Sequence, residues 1–368
     1  MDKSLHILTG VLLCLSAARL PAELVITSPA AGSTVYSAEA LEMEAAWSGP
    51  PPEGLALVWK SSADGVLGNG LRLHVPGLSY ASHRITVQAT AGDSVVAEAE
   101  TLVYALSRPE QFTLSERTDW EGEFSPRGNQ VAYTSYRNGD PEIWIATVSN
   151  RFSERITFKG GLSPSWTPDG RMIAFWSERS GNRDIWLVGL AGDQKNAIQL
   201  TGTPGPEWMP AVNRADGRIL FTAKEGRNLR LMVLDTAAPD PVPMEVVGPD
   251  HYPMFGRWFP DGKDILFTSY RHSTPVVCRY SAATGAVVEV SDPGAEDADI
   301  SPDGRRIVIV RNSEIWLENL AGGGARPLTA DRAGALNPRF SPDGAKIIYA
   351  STRSGNYDLW LLDLPSQD

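Results

Sequence analysis

Apolar and polar residues alternate in short runs along most of the chain, and turns rich in Gly, Pro, Asn and Asp separate the runs. Leu41 to Trp47 is one such run, with Leu41, Met43, Ala45 and Trp47 on a single face. That two-residue period is the signature of a strand with one buried side. Leu24 to Ile26, Leu55 to Trp59, Arg84 to Ala89 and Val95 to Tyr104 read the same way, with turns at Ala63-Asp64-Gly65 and Gly68-Asn69-Gly70. No helical period interrupts them. Residues 23–106 therefore predict a small β-sandwich in which Trp59 belongs to the core, and His74 and His83 are structural.

From residue 111 the pattern repeats. A turn recurs as Ser125-Pro126-Arg127-Gly128, Thr167-Pro168-Asp169-Gly170, Arg214-Ala215-Asp216-Gly217, Phe259-Pro260-Asp261-Gly262, Ser301-Pro302-Asp303-Gly304 and Ser341-Pro342-Asp343-Gly344. Its glycines are 42, 47, 45, 42 and 40 residues apart. Pro presets φ at the first central position and Gly accepts a positive φ at the end, so these residues are structural. A second signature follows each of several turns: Arg137 to Trp144, Arg179 to Trp186, Arg353 to Trp360, and the shorter Glu314-Ile315-Trp316. A third, Ile156-Thr157, Leu200-Thr201 and Leu328-Thr329, marks an outer strand. A period of this length with four short strands per unit predicts propeller blades, here six over residues 111–364. The last repeat lacks its outer strand. Gln111 to Ser115 matches that pattern and is expected to complete the last blade, closing the ring.

These signatures are those of the PD40-type repeat, and residues 111–364 resemble TolB-like β-propellers. The leading segment is similar to bacterial Ig-like and PKD-like modules. The fold class expected is all-β, an N-terminal Ig-like sandwich followed by a six-bladed propeller. The resemblance implies a non-enzymatic scaffold of the cell envelope that binds a protein or an envelope polymer. In TolB itself the partner is the peptidoglycan-associated lipoprotein. TolB carries a small α/β domain before its propeller, and this chain departs from that plan.

Charge and composition narrow the partners. There are 33 Lys and Arg against 44 Asp and Glu, a net charge of −11. This acidic balance speaks against nucleic-acid binding, which needs clustered cations. Lys3, the apolar run Leu5 to Ala18 and the small residues Ser16 to Ala18 read as a secretory signal over 1–22. A periplasmic or secreted protein without a membrane span after cleavage is expected. Of the two cysteines, Cys14 falls in that signal, leaving Cys278 as a buried thiol in an apolar run.

No Gly-x-Ser-x-Gly elbow and no phosphate-binding glycine loop is present, and no cofactor is expected. The connections leading into each inner strand, and those joining the second and third strands, emerge on one face around the channel. Trp120, Glu121, Trp208, His251, Tyr252, Arg271, His272, Asp297 and Asn337 lie there by this reading. Trp, Tyr, His and Arg gathered on one rim make a binding surface. Trp120 and Trp208 stand out because they fall in loops rather than strand patterns. The alternative is a metal-assisted enzyme on polysaccharide, similar to propeller lyases, using His251 and His272 with help from Asp250 or Asp297. Glu296, Asp297 and Asp299 form a small acidic group of oxygen ligands suited to calcium, beside the simpler reading of a solvated loop.

Overall fold

The computed structural model describes residues 23–50, 53–191 and 196–364. The expected signal segment lies outside these. The chain divides into two compact units, the first built on residues up to Val103 and the second on Tyr104 onward, with 34–39 and 79–82.

In the leading part, strands are β1 (Leu24–Ser28), β2 (Ser33–Tyr36), β3 (Leu41–Trp47), β4 (Ala56–Ser61), β5 (Gly65–Asn69), β6 (Arg72–Val75), β7 (Ser82–Ala91) and β8 (Ser94–Leu106). They form a three-stranded sheet, β1-β3-β6, and a five-stranded sheet, β2-β8-β7-β4-β5. Alternation sets the buried face: in β7, His83, Ile85, Val87 and Ala89 are buried while their neighbours are not. Trp59 is fully buried, and its indole N–H donates to Gly70 O at 2.8 Å. His83 is also buried, with Nδ1 2.7 Å from Ser61 Oγ. Burying these polar rings is tolerable because each finds a partner.

Six four-stranded antiparallel sheets make up the second part. Strand β9 (Glu110–Gln111) precedes them. Blade 1 is β10 (Asp119–Phe124), β11 (Gln130–Ser135), β12 (Glu142–Thr147) and β13 (Ser153–Arg155). Blade 2 is β14 (Leu162–Trp166), β15 (Met172–Ser177), β16 (Asp184–Gly189) and β17 (Ile198–Gln199). Blade 3 is β18 (Glu207–Val212), β19 (Ile219–Glu225), β20 (Asn228–Leu234) and β21 (Met244–Val247). Blade 4 is β22 (Pro253–Trp258), β23 (Ile265–Ser269), β24 (Val276–Tyr280) and β25 (Val287–Glu289). Blade 5 is β26 (Ala295–Ile300), β27 (Arg306–Arg311), β28 (Glu314–Asn319) and β29 (Arg326–Pro327). Blade 6 is β30 (Leu336–Phe340), β31 (Lys346–Ser351), β32 (Asp358–Asp363) and, from the far end of the chain, β9. The first strands touch one another in a ring, β30 returning to β10.

Closure is built from hydrogen bonds. Gln111 pairs with Trp360 and Glu110 with Leu361. Thr113 Oγ1 accepts from Leu359 N at 3.0 Å and donates to Asp358 Oδ1 at 3.2 Å. The same threonine device explains the third sequence signature. Thr157 accepts from Ile143 N and donates to Glu142, and Thr329 accepts from Ile315 N and donates to Glu314. Blade 6 thus reproduces, between chain segments about 245 residues apart, what the other blades do within a repeat.

The third turn corrects the register read from the sequence. Phe124 pairs with Val131 and Val212 pairs with Ile219, so both turns have equal length. Asn213 N donates to Arg218 O just as Ser125 N donates to Gln130 O. Asn213 therefore takes the Ser place, Arg214 takes the Pro place, and Gly217 sits one residue late. Glycine is the most visible member of the turn, so its late position hides the true register in the sequence.

Candidate functional site

The inner strands were the part least visible in the sequence. Each carries a bulge against its neighbour, between Trp120 and Glu123 in blade 1 and at the equivalent place in the other five. At each bulge one non-glycine residue is left-handed: Glu121 (φ 55°), Ser163 (51°), Met209 (55°), Phe255 (54°), Asp297 (47°) and Asn337 (52°). Six recurrences make this an architectural device, since a bulge re-aims the side chains beside it. The next residue is Gly122, Pro164, Pro210, Gly256, Ala298 or Pro338. At the glycines space is short: a Cβ at Gly256 would come within 2.7 Å of Leu220 Cδ2.

Two positions per blade consequently line the central channel. Blade 1 supplies Glu121 and Glu123, blade 5 Asp297 and Asp299, blade 4 Phe255 and Arg257, and blade 6 Asn337 and Arg339. Carboxylates at these positions reach the backbone of the next blade. Glu121 Oε2 accepts from Ser163 N (2.8 Å) and Glu123 Oε1 from Trp166 N (3.1 Å). Asp297 Oδ2 accepts from Asn337 N (2.8 Å) and Asp299 Oδ2 from Phe340 N (2.9 Å). Asp297 Oδ1 also receives both terminal nitrogens of Arg339 at 3.2 Å. Burial pushes the carboxyls of Glu123, Asp297 and Asp299 up, Asp297 to about 7, and the Arg257 charge opposes the rise in all three.

The structure moves several sequence-predicted residues. Trp120 and Trp208 are in strands, β10 and β18, not in loops. Trp120 packs edge-on to Tyr136 at 6.0 Å and against Tyr357 at 6.3 Å, making an aromatic cluster. Trp208 is half-buried and pairs with Thr222. Asp297 and Asn337 lie in inner strands and bond to one another (Asn337 Nδ2 to Asp297 Oδ2, 2.6 Å), as does Glu121 to the neighbouring blade. These strands begin earlier than hydrophobicity suggested, because their channel-facing residues are polar. His251 sits in a 3-10 turn, Pro249–His251, with its ring edge-on to Phe267 at 6.1 Å. Tyr252 follows with a left-handed φ of 45° and is 40% exposed. Arg271 and His272 are exposed in the connection between β23 and β24.

The proposed ligand sets do not assemble. Among the described residues no group of three His, Cys, Asp or Glu side chains is placed to hold a metal. Asp297, one of the two carboxylates expected to help the histidines, is committed to Asn337 and Arg339. The acidic group separates too: Glu296 accepts from Tyr270 OH at 2.7 Å, while Asp299 points to blade 6. Cys278 is buried and its thiol is pushed up to about 12 by burial, which makes it a poor nucleophile.

Sequence reasoning also missed a distinction among the rim arginines. Arg137, Arg179 and Arg353 lie over Trp144, Trp186 and Trp360 at 4.3, 5.0 and 4.8 Å from the ring centroids. Arg137 also donates to Asp119 Oδ2, Tyr133 OH and Ser153 Oγ. These side chains are part of the blades. At the matching place in blade 4 the pairing partner of Phe267 is Cys278, not Trp, and Arg271 has no such ring beneath it.

The fold and the lined channel define a six-bladed β-propeller with an aromatic rim on one face. The TolB beta propeller domain model of the PD40 family matches residues 120–255 and 244–367, and the chain belongs to that family. The Tol-Pal system protein TolB of Bordetella pertussis is 27% identical over 159 residues, covering 41% of this chain and 36% of the relative. The match thus spans about a third of that protein's length. Among solved structures, TolB from Acinetobacter baumannii aligns with a TM-score of 0.51 at 20% identity, covering 76% of each chain. An oligogalacturonate lyase from Vibrio parahaemolyticus also aligns with a TM-score of 0.51, at 12% identity, covering 70% of this chain and 93% of the lyase. At such identities the likeness shows the fold alone. No helix among the described residues is long and apolar enough to cross a membrane.

Proposed function

We propose that this chain is a non-enzymatic scaffold of the periplasm or cell exterior, which holds a protein or envelope-polymer partner on the rim of its propeller. The leading module, read as Ig-like, would be a spacer or second adhesive unit. The observation that carries the reading is the exposed group Tyr252, Arg271 and His272, on the same face as the Trp120–Tyr136–Tyr357 cluster. Exposed Tyr and Arg side chains on a loop-rich rim are the residue types that anchor interfaces. The family supports a protein partner, since its curated members include Tol-Pal system proteins. A lipoprotein of the peptidoglycan-associated type is the partner to try first.

The test is calorimetric titration of the soluble domain of such a lipoprotein, encoded by the same genome, into the native protein and into a Tyr252→Ala/Arg271→Ala/His272→Ala variant. Binding lost in a folded variant supports the reading. Binding that the variant retains in full removes the rim from the account. The lyase-like alternative rests on fold likeness, and its two histidines lack a third ligand among the described residues. It predicts ultraviolet-absorbing unsaturated product from polygalacturonate with added manganese, lost in His251→Ala.

A further inference from the structure

The channel has a second mouth, on the face of the Pro-Asp-Gly turns and opposite the rim. A cavity of about 210 Å³ opens there, bounded by all six blades. Among the described residues, four charged side chains on its wall have no salt-bridge partner: Glu123 and Asp299 on one hand, Arg214 and Arg257 on the other. Glu123 Oε1 and Asp299 Oδ2 are held by backbone N–H groups of the neighbouring blades, which leaves one oxygen of each carboxylate uncommitted. Arg257 spends one N–H on Gly256 O (2.9 Å), and its Nε is buried with no acceptor among the described residues. Arg214 is exposed at the mouth. It stands where the other five turns have Pro126, Pro168, Pro260, Pro302 and Pro342. In four blades that proline lies over the turn glycine of the next; a Cβ on Gly128, for instance, would sit 3.5 Å from Pro342 Cδ. Blade 3 gives up that contact at this position and gains a cation over the cavity.

Opposite charges inside a cavity normally meet. Here neither guanidinium comes within 4 Å of either carboxylate, although Arg257 and Arg214 both act on the charges of Glu123 and Asp299. The wall is therefore charge-balanced but open between its poles. We propose that this cavity is a binding site for a small zwitterion of the amino-acid type, its ammonium group toward Glu123 and Asp299 and its carboxylate toward Arg214 and Arg257. Such a ligand pairs with both guanidinium groups and both free carboxylate oxygens at once, and charge-assisted hydrogen bonds of this kind are the strong ones. A ligand with a single charge leaves one pole unmatched. The cavity holds several times the roughly 30 Å³ share of one water, ample for a compact ligand.

The site lies away from the rim and stands or falls separately from the scaffold reading. Calorimetry with L-alanine, D-alanine and L-glutamate, beside propionate and ethylamine, tests it. At least one amino acid should bind with a Kd of about 1 mM or tighter, and the two singly charged compounds about tenfold or more weakly. Arg214→Ala, an exposed position whose loss leaves the fold intact, should weaken binding about tenfold, and Arg257→Gln at least as much. Circular dichroism checks both variants, and Arg214→Ala carries the test if Arg257→Gln does not fold. Lipoprotein binding at the rim should not change in Arg214→Ala. No heat from any amino acid at about 10 mM, equal binding of propionate, or undiminished binding in Arg214→Ala would each overturn the proposal.

Discussion

Arg137 and Arg271 occupy equivalent places in blades 1 and 4, and only the first is built into the fold. Each follows a serine by two residues, and each backbone N–H bonds that serine's Oγ (3.3 and 3.4 Å). Beyond that they part. Arg137 folds back over Trp144 and reaches Asp119, Tyr133 and Ser153. Arg271 finds Cys278 where the tryptophan would be, and remains exposed. In a repeat protein the regular member of a position serves the architecture. The irregular member is the one released for other work. Arg214, in the place of a turn proline, teaches the same lesson on the opposite face.

The comparison can be broken most forcefully at the ring closure, where regularity carries the most stability. Asp358 accepts from Gln111 Nε2, Thr113 Oγ1, Ser115 N and Ser354 Oγ. Asp358→Ala orphans these donors and should cost about 3 kcal/mol in urea denaturation. A loss below about 1 kcal/mol would mean that β9 contributes little to closing the ring.

Next comes the arginine pair itself. Arg137→Ala removes the stack on Trp144 and several hydrogen bonds, leaving Asp119 buried without its cation, and should cost about 2 kcal/mol. Arg271→Ala should stay within about 0.5 kcal/mol of the native protein. Equal costs would erase the distinction between built-in and released side chains.

A pH series sharpens the picture of the channel. Asp297 has a folded-state pKa of about 7, above the usual carboxyl value of 3.8, because it is buried. The folded state therefore binds more protons than the unfolded state between these values, and stability falls as pH rises through that window. Glu123, Asp299, Asp119 and Glu207 are raised by burial too and add with the same sign. The propeller should be more stable at pH 5 than at pH 7, by up to about 1.4 kcal/mol per pH unit for each proton. Asp297→Asn should flatten part of that slope, whatever its effect on stability at a single pH. A slope of opposite sign would show that Arg257 and Arg339 outweigh burial.

Much of the blade plan was legible in the sequence, because Pro-Asp-Gly turns and the Arg-to-Trp signature each have a local mechanism that leaves a mark. The inner strands were not. Glu121, Asp297 and Asn337 face a channel, so polarity hides the strand period, and the bulge at each breaks the alternation that would have revealed it. Trp120 and Trp208 read as loop residues in the sequence for that reason. Asn213 was missed because the turn's glycine slips one place while its length is conserved. Which arginines were locked depended on strand pairing: Trp144 lies opposite Tyr133 and Cys278 opposite Phe267, a relation between separate strands. The Arg257–Asp299–Glu123 group joins three blades and has no signature in any one repeat.

The central claim is that side chains released from the repeat carry the binding. The most direct test measures lipoprotein-domain affinity and thermal stability together for Arg271→Ala and Arg137→Ala. The account predicts that Arg271→Ala weakens binding about tenfold at an unchanged melting temperature, whereas Arg137→Ala lowers the melting temperature and leaves the affinity of the still-folded protein unchanged. Native affinity in Arg271→Ala, with binding lost only where stability is lost, would contradict it.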